Sequence, residues 1–176
     1  MGSLVPLEMF EFLDDSHRAI QEQLQALRIL LLSPDVSNLS KAQKAELQAI
    51  YTFFAEDAHQ HHLDEEKHVF PALLNSQQAD LTHLAKVLRQ DHGWLEENWI
   101  ELAPQLQALV HANAWVDPVE LQHAFDVFEA LYAEHMTLEE SVAFPKAKQL
   151  DQDWDPLTIG REMAKRRMLK PAAIGQ

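Results

Sequence analysis

Apolar residues recur along this chain at three- and four-residue steps, the period of one face of an α-helix. Over about 8–32 the stripe is Leu13, Ile20, Leu24, Leu27 and Leu31, and Ser33-Pro34-Asp35 stops it. Ser40 with Gln43 makes a capping box, satisfying backbone N–H groups that a helix start leaves unpaired. The second helix then carries Leu47, Ile50, Phe54 and Ala58 and runs on to about Leu74. A polar connection, Asn75 to Asp80, leads to a third stretch of about 80–111 with Leu81, Leu84, Leu88, Leu95, Trp99, Leu102, Leu106 and Leu109. Pro104 lies inside it; lacking an N–H, it is expected to kink that helix or end it early. Asp117-Pro118-Val119-Glu120 is a strong fourth start, with an N-cap acid and proline in the first turn. Leu121, Phe125, Phe128, Tyr132 and Val142 carry that helix to about Leu150, and Asp155-Pro156 opens a short terminal helix to about Leu169. No run alternates as a strand would. The expectation is an all-α protein: an up-down-up-down four-helix bundle over 1–155, followed by a basic C-terminal helix and tail over 156–176.

Each of the four stripes is broken by a histidine where an apolar residue belongs. The first helix reads Leu13, His17, Ile20; the second reads Ala58, His61, Glu65; the third reads Leu88, His92, Leu95; the fourth reads Tyr132, His135, Glu139. Two helices therefore also turn a glutamate inward, one turn beyond their histidine. Burying such groups without partners costs roughly several kcal/mol for each that is charged. A fully satisfied polar network is one way to tolerate them. A metal is the better one, because a cation neutralises carboxylates and ligates neutral imidazoles together.

The pattern repeats. His61, Glu65, Glu66, Phe70 and Pro71 match His135, Glu139, Glu140, Phe144 and Pro145 position for position. His17 precedes His61 by 44 residues and His92 precedes His135 by 43. Two helical hairpins facing each other would offer three ligands to each of two metal ions, with the glutamates able to bridge. The repeat selects His61 over His62 and Glu65 over Glu66, leaving His62 and Glu66 as flanking groups. Glu140 stays open, since a five-residue spacing from His135 also suits a carboxylate ligand.

Composition narrows the chemistry. Acidic residues outnumber basic ones 28 to 14, for a formal charge of −14, which repels nucleic acid and anionic lipid. There is no cysteine, which removes thiolate catalysis, iron–sulfur ligation and disulfides. Acids interrupt the N-terminal segment early and no apolar run is long enough to cross a bilayer, so the expectation is a cytoplasmic protein outside the membrane. Of the ten histidines, His59, His68, His83, His111 and His123 fall off the stripes and read as surface residues. Trp94, Trp99 and Trp115 read as packing, Tyr132 as packing or as a hydrogen-bond donor to the site, and Phe70-Pro71 and Phe144-Pro145 as matched helix kinks or ends. Arg161, Lys165, Arg166, Arg167 and Lys170 make the terminal helix basic; it is expected to dock on the acidic surface of its own chain or of a second copy.

Phe12-Leu13-Asp14-Asp15-Ser16-His17, the run His61 to Pro71, Asp91-His92 and the run His135 to Glu140 resemble the hemerythrin family, in its HHE cation-binding branch, over about residues 8–150. The resemblance implies two iron ions in an oxo- or hydroxo- and carboxylate-bridged centre, with His17, His61, Glu65, His92, His135 and Glu139 as ligands. It also implies binding or sensing of a diatomic ligand such as O2 or NO. An enzyme reducing O2, peroxide or NO, or an iron store, is the alternative. An imidazole and carboxylate donor set without thiolate suits iron, and also zinc or manganese. The O2-carrying members place a second histidine one turn before the position of His92; here that residue is Leu88. The departure implies an open position, or a replacement carboxylate such as Glu96.

Overall fold

The computed structural model describes residues 8–150 and 154–168, and among these there is no strand. Helix α1 spans Met9–Leu31. Helix α2, Lys41–Thr52, starts on the expected capping box: the Ser40 N–H donates to Gln43 Oε1 (2.9 Å) and the Gln43 N–H to Ser40 Oγ (3.2 Å). It passes through a π-helical stretch, Phe53–Ala58, into α3, His59–His68. A break at Val69 separates α3 from α4, Phe70–Leu74. Helix α5 is Ala79–His111. Helix α6, Pro118–Leu138, opens with the Val119 N–H donating to Asp117 Oδ1 at 2.8 Å. A second π-helical stretch, Glu139–Ala143, leads into α7, Phe144–Gln149; α8 is Pro156–Met168. These segments form four long rods (α1; α2 to α4; α5; α6 to α7) and one short terminal helix. Rod α1 packs on α2 and α6, and α5 packs on the same two. The chain is a helical bundle.

Three sequence expectations change. Of the kink or early end expected at Pro104, the early end does not occur: α5 runs through it. The ring sits on the solvent face between the buried Leu102 and Leu106, so the carbonyl it leaves unbonded faces water while the core holds both flanks. Val142 is not a core residue: it is 36% exposed and Ala143 is fully buried in its place. The π-helical stretch inserts one residue into the period and moves the inward position along by one. Trp94 and Trp115 are exposed rather than packed, whereas Trp99 is embedded against Tyr51, Phe54 and Phe128.

The core comes in two parts. One contains Ile20, Ala58, Leu95 and Tyr132; the other contains Leu13, Val69, Leu88 and Ala143. Along α1 and α5 the chain runs from the second part to the first, and along the other two rods from the first to the second. The stripe-breaking histidines lie at the boundary, in a polar layer between two apolar slabs.

The terminal helix docks on its own chain, through a buried carboxylate rather than an acidic surface. Met163 is fully buried in the second core. Arg166 and Arg167 reach Asp64, at 2.6 Å and 3.1 Å, and Asp64 has no exposed surface. Arg166 also meets His68 at 3.2 Å, and Lys67 meets Glu162 at 3.4 Å. His68 is therefore half-buried, not a free surface residue. Leu169 and Lys170 lie outside the described residues.

Candidate metal centre

All six stripe-breaking residues converge. His17, His61, His92 and His135 are buried, and Glu65 and Glu139 have no exposed surface at all. Glu65 Oε1 lies 3.0 Å from His61 Nε2 and 3.5 Å from His17 Nε2, while its Oε2 lies 3.3 Å from His92 Nε2. Glu139 Oε2 lies 3.2 Å from His17 Nε2 and 3.3 Å from His135 Nε2. Both carboxylates thus reach across two histidine pairs. Two overlapping groups of donors result, each within 4.8 Å: His17, His61, Glu65 and Glu139; and Glu65, His92, His135 and Glu139.

The contacts are close, yet few are hydrogen bonds. Both oxygens of Glu65, both of Glu139, His17 Nε2 and both nitrogens of His61 are buried without a hydrogen-bond partner. Buried polar atoms are nearly always paired, because an unpaired one costs about 1–3 kcal/mol. His92 Nε2 and His135 Nε2 do meet, at 3.2 Å; the other inward atoms share one interior spot without bonding each other, which is what a cation requires. The set of neutral nitrogens and carboxylate oxygens fits iron, zinc or manganese chemically.

The outer nitrogens are held in matched fashion. His17 Nδ1 donates to Glu140 Oε1 and His92 Nδ1 to Glu66 Oε1, both at 2.8 Å. An Nδ1–H donated outward leaves Nε2 as the inward lone pair. Behind these rings stand the two phenylalanines of the repeat: Phe144 stacks on His17 at 5.5 Å and Phe70 on His92 at 5.2 Å. In each half, the repeated motif therefore turns a histidine and a glutamate inward, then gives a carboxylate and a ring to the lone histidine of a neighbouring rod. The motif was legible in sequence; the second half of its work was not. Phe70 and Phe144 are more than helix ends.

Electrostatics follow from burial and these contacts. Burial alone pushes the His17 ring down, but Glu139 and Glu65 outweigh it and raise it to about 11. Burial likewise opposes protonation of His92, and Glu65 and Glu66 overcome it to give about 9. Burial dominates at His61, which is lowered, and at His62, which falls well below its ordinary value. Glu65 is held well below the carboxylate range: burial alone would raise it, and the surrounding imidazoles reverse that. Without a cation the layer retains protons on His17 and His92 beside its carboxylates.

The remaining expectations sort cleanly. Glu96 is exposed and belongs to no donor group, so it does not replace the missing histidine; Leu88 is fully buried in apolar surroundings. Tyr132 packs, with its ring over His62 at 5.7 Å and against Phe128 at 5.0 Å. His59, His83, His111 and His123 are exposed. His62 is the residue the repeat passed over: it is 9% exposed, and one of its ring nitrogens lies within 4.8 Å of donors from His92 and His135. A cavity of about 450 Å³ opens beside the layer, walled by His62, His92, Leu95, Trp99 and Tyr132, with Glu66 at its edge.

The model of the hemerythrin HHE cation-binding domain matches residues 8–147 of this chain. The chain belongs to that family. The matched span reaches into all four rods and includes each of the six converging residues. A Haemophilus influenzae protein named only as uncharacterized is 28% identical over 165 residues, which is 93% of this chain and 92% of the relative. No helix among the described residues is long and apolar enough to cross a membrane.

Proposed function

We propose that this hemerythrin-like chain holds two iron ions in the polar layer and binds or senses a diatomic ligand, O2 or NO, there. His17 and His61 would hold one ion, His92 and His135 the other, and Glu65 and Glu139 would bridge. The observation that carries the reading is the pair of overlapping donor groups whose carboxylate oxygens are buried, unpartnered and shared. Bound iron supplies the redox chemistry and a position for the diatomic. The chain supplies the rest. Glu66 and Glu140 fix which nitrogen of His92 and His17 keeps the proton. Phe70 and Phe144 hold those rings in place and exclude water. The two apolar slabs keep the layer dry, and the cavity beside His62 and His92 gives a small molecule a way in.

The same reading takes the four rods as an up-down-up-down bundle over 1–155, with 156–176 as an appended brace. The alternating direction in which successive rods pass from one core slab to the other supports it. A second reading, reduction of O2, peroxide or NO at the same centre, is favoured by the cavity, since about 450 Å³ is far more than a diatomic fills.

Metal analysis with anaerobic optical spectra tests both. Two irons per chain and an oxo-bridge absorption that bleaches and returns with the ligand are expected. Steady consumption of NO or peroxide with a reductant selects the enzyme. Absence of metal uptake under reducing, anaerobic loading rejects the proposal.

A further inference from the structure

The two halves of the layer are not equal in imidazoles. In the repeat, His62 corresponds to Met136, which is buried in the first apolar core and offers only a thioether. His62 turns toward the layer: it is nine-tenths buried, and its Nε2 is enclosed without a hydrogen-bond partner. Its ring stacks on His92 with centroids 4.2 Å apart and meets His135 edge-on at 5.7 Å. Tyr132, itself buried, stacks against the ring at 5.7 Å. One nitrogen of His62, one of His92 and one of His135 lie within 4.8 Å of each other, a third donor group that overlaps the second of the two already described.

We propose that His62 supplies a third imidazole to the cation held by His92 and His135. The inference rests on the two-metal reading above and deepens it. An unpartnered imidazole nitrogen enclosed beside two others is unfavourable for a plain core residue and favourable for a ligand. A surface role does not account for its burial, and packing alone does not account for its nitrogen. Leu88, one turn before His92, contributes nothing to the layer, so His62 reaches the same cation from rod two. With His62 the two cations become chemically distinct, one with two imidazoles and one with three, sharing Glu65 and Glu139. Stepwise loading with two different affinities follows.

The test is an anaerobic Co(II) titration of the full chain, read by the visible cobalt band and by competition with a chelator. His62→Phe keeps a stacked ring without a donor; His62→Ala removes both. The unaltered protein is expected to take two cations in two distinguishable steps. In both variants one step is retained and the other weakens by about tenfold or more, with a changed cobalt band. Circular dichroism of the metal-free forms of the unaltered protein and His62→Phe is expected to coincide. Two unchanged steps in His62→Phe would overturn the proposal and leave the two-metal reading standing. Fewer than two cations in the unaltered protein would overturn both.

Discussion

The two hairpins of this bundle start from one motif and end with different surroundings. His61, Glu65, Glu66 and Phe70 do the same geometric work as His135, Glu139, Glu140 and Phe144. Between these matched positions the halves diverge. His62 corresponds to Met136, Asp64 to Leu138, and Val69 to Ala143. Asp64 is buried and paired with α8, whereas Leu138 packs on the second apolar core. Asp91 sits 3.6 Å from His135 Nδ1, while the matching Ser16 hydroxyl donates to the Phe12 carbonyl and His61 Nδ1 has no partner. The shared positions build the donor layer. The divergent ones decide what each half does besides, so the symmetry belongs to the inner donors and the asymmetry to their support.

Removing what the halves share has the largest effect. Glu65→Ala, His61→Ala or His135→Ala is expected to lose bound metal, while His123→Ala, on the exposed surface, keeps it. Binding at a thousandfold excess over Kd stabilises by about 4 kcal/mol. In a chain of this size that is roughly 8–16 °C in melting temperature. Calorimetry of metal-loaded and chelator-stripped samples measures it. Equal metal content in Glu65→Ala and His123→Ala contradicts the assignment.

The next effect belongs to one half only. Arg166→Ala with Arg167→Ala leaves Asp64 as an uncompensated buried carboxylate, at a cost of about 3 kcal/mol. The expected fall in melting temperature is roughly 6–12 °C. Adding Asp64→Leu, the residue type at the matching position of the other half, is expected to recover most of it. A double variant as stable as the unaltered chain shows that α8 braces nothing.

Most of the donor layer was legible in the sequence because helical periodicity is strict: a histidine on an apolar stripe must point inward. His17, His61, Glu65, His92, His135 and Glu139 converge for that reason. The rest depends on facts a period does not carry. His62 lies about 100° round the helix from His61, and only the position of α5 and α6 makes that direction another route into the layer. Asp64 reads as one more surface acid until α8 folds over it. Phe70 and Phe144 read as helix ends because the histidines they support lie on other rods.

The outer carboxylates separate the poles at a smaller scale. Glu66→Gln is expected to weaken the His92 cation about 10–100-fold and spare the His17 cation; Glu140→Gln does the reverse. Titration with Co(II) reads the two steps. Equal effects of each variant on both steps would place these carboxylates outside the ligand support.

Protons separate the poles again. In the metal-free chain His17 is raised to about 11 and His92 to about 9. A raised folded-state value contributes stability in full below the unfolded value, about 6.5, and loses it as pH rises through the folded one. Metal-free stability is therefore expected to fall from pH 6.5 upward, with the His92 contribution gone above about 9 and that of His17 lost near 11. A cation must displace the same protons. Its affinity is expected to rise about tenfold per pH unit for each proton displaced, until His92 titrates out first. Affinities measured between pH 6.5 and 9 that stay flat contradict this.

The smallest effect tests the local register where the halves part. After Glu65 the first half breaks at Val69; after Glu139 the second inserts a π-helical stretch, and both meet a Phe-Pro pair whose proline lacks an N–H. The insertion turns Val142 outward and Ala143 inward. Val142→Ser is then expected to change stability by less than about 0.5 kcal/mol, as at an ordinary surface position. Ala143→Val forces extra carbon into a filled core, at a cost of about 1–3 kcal/mol. An uninterrupted α-helix would reverse this order. Urea unfolding of the two variants therefore reports whether the fourth rod changes register beyond Glu139.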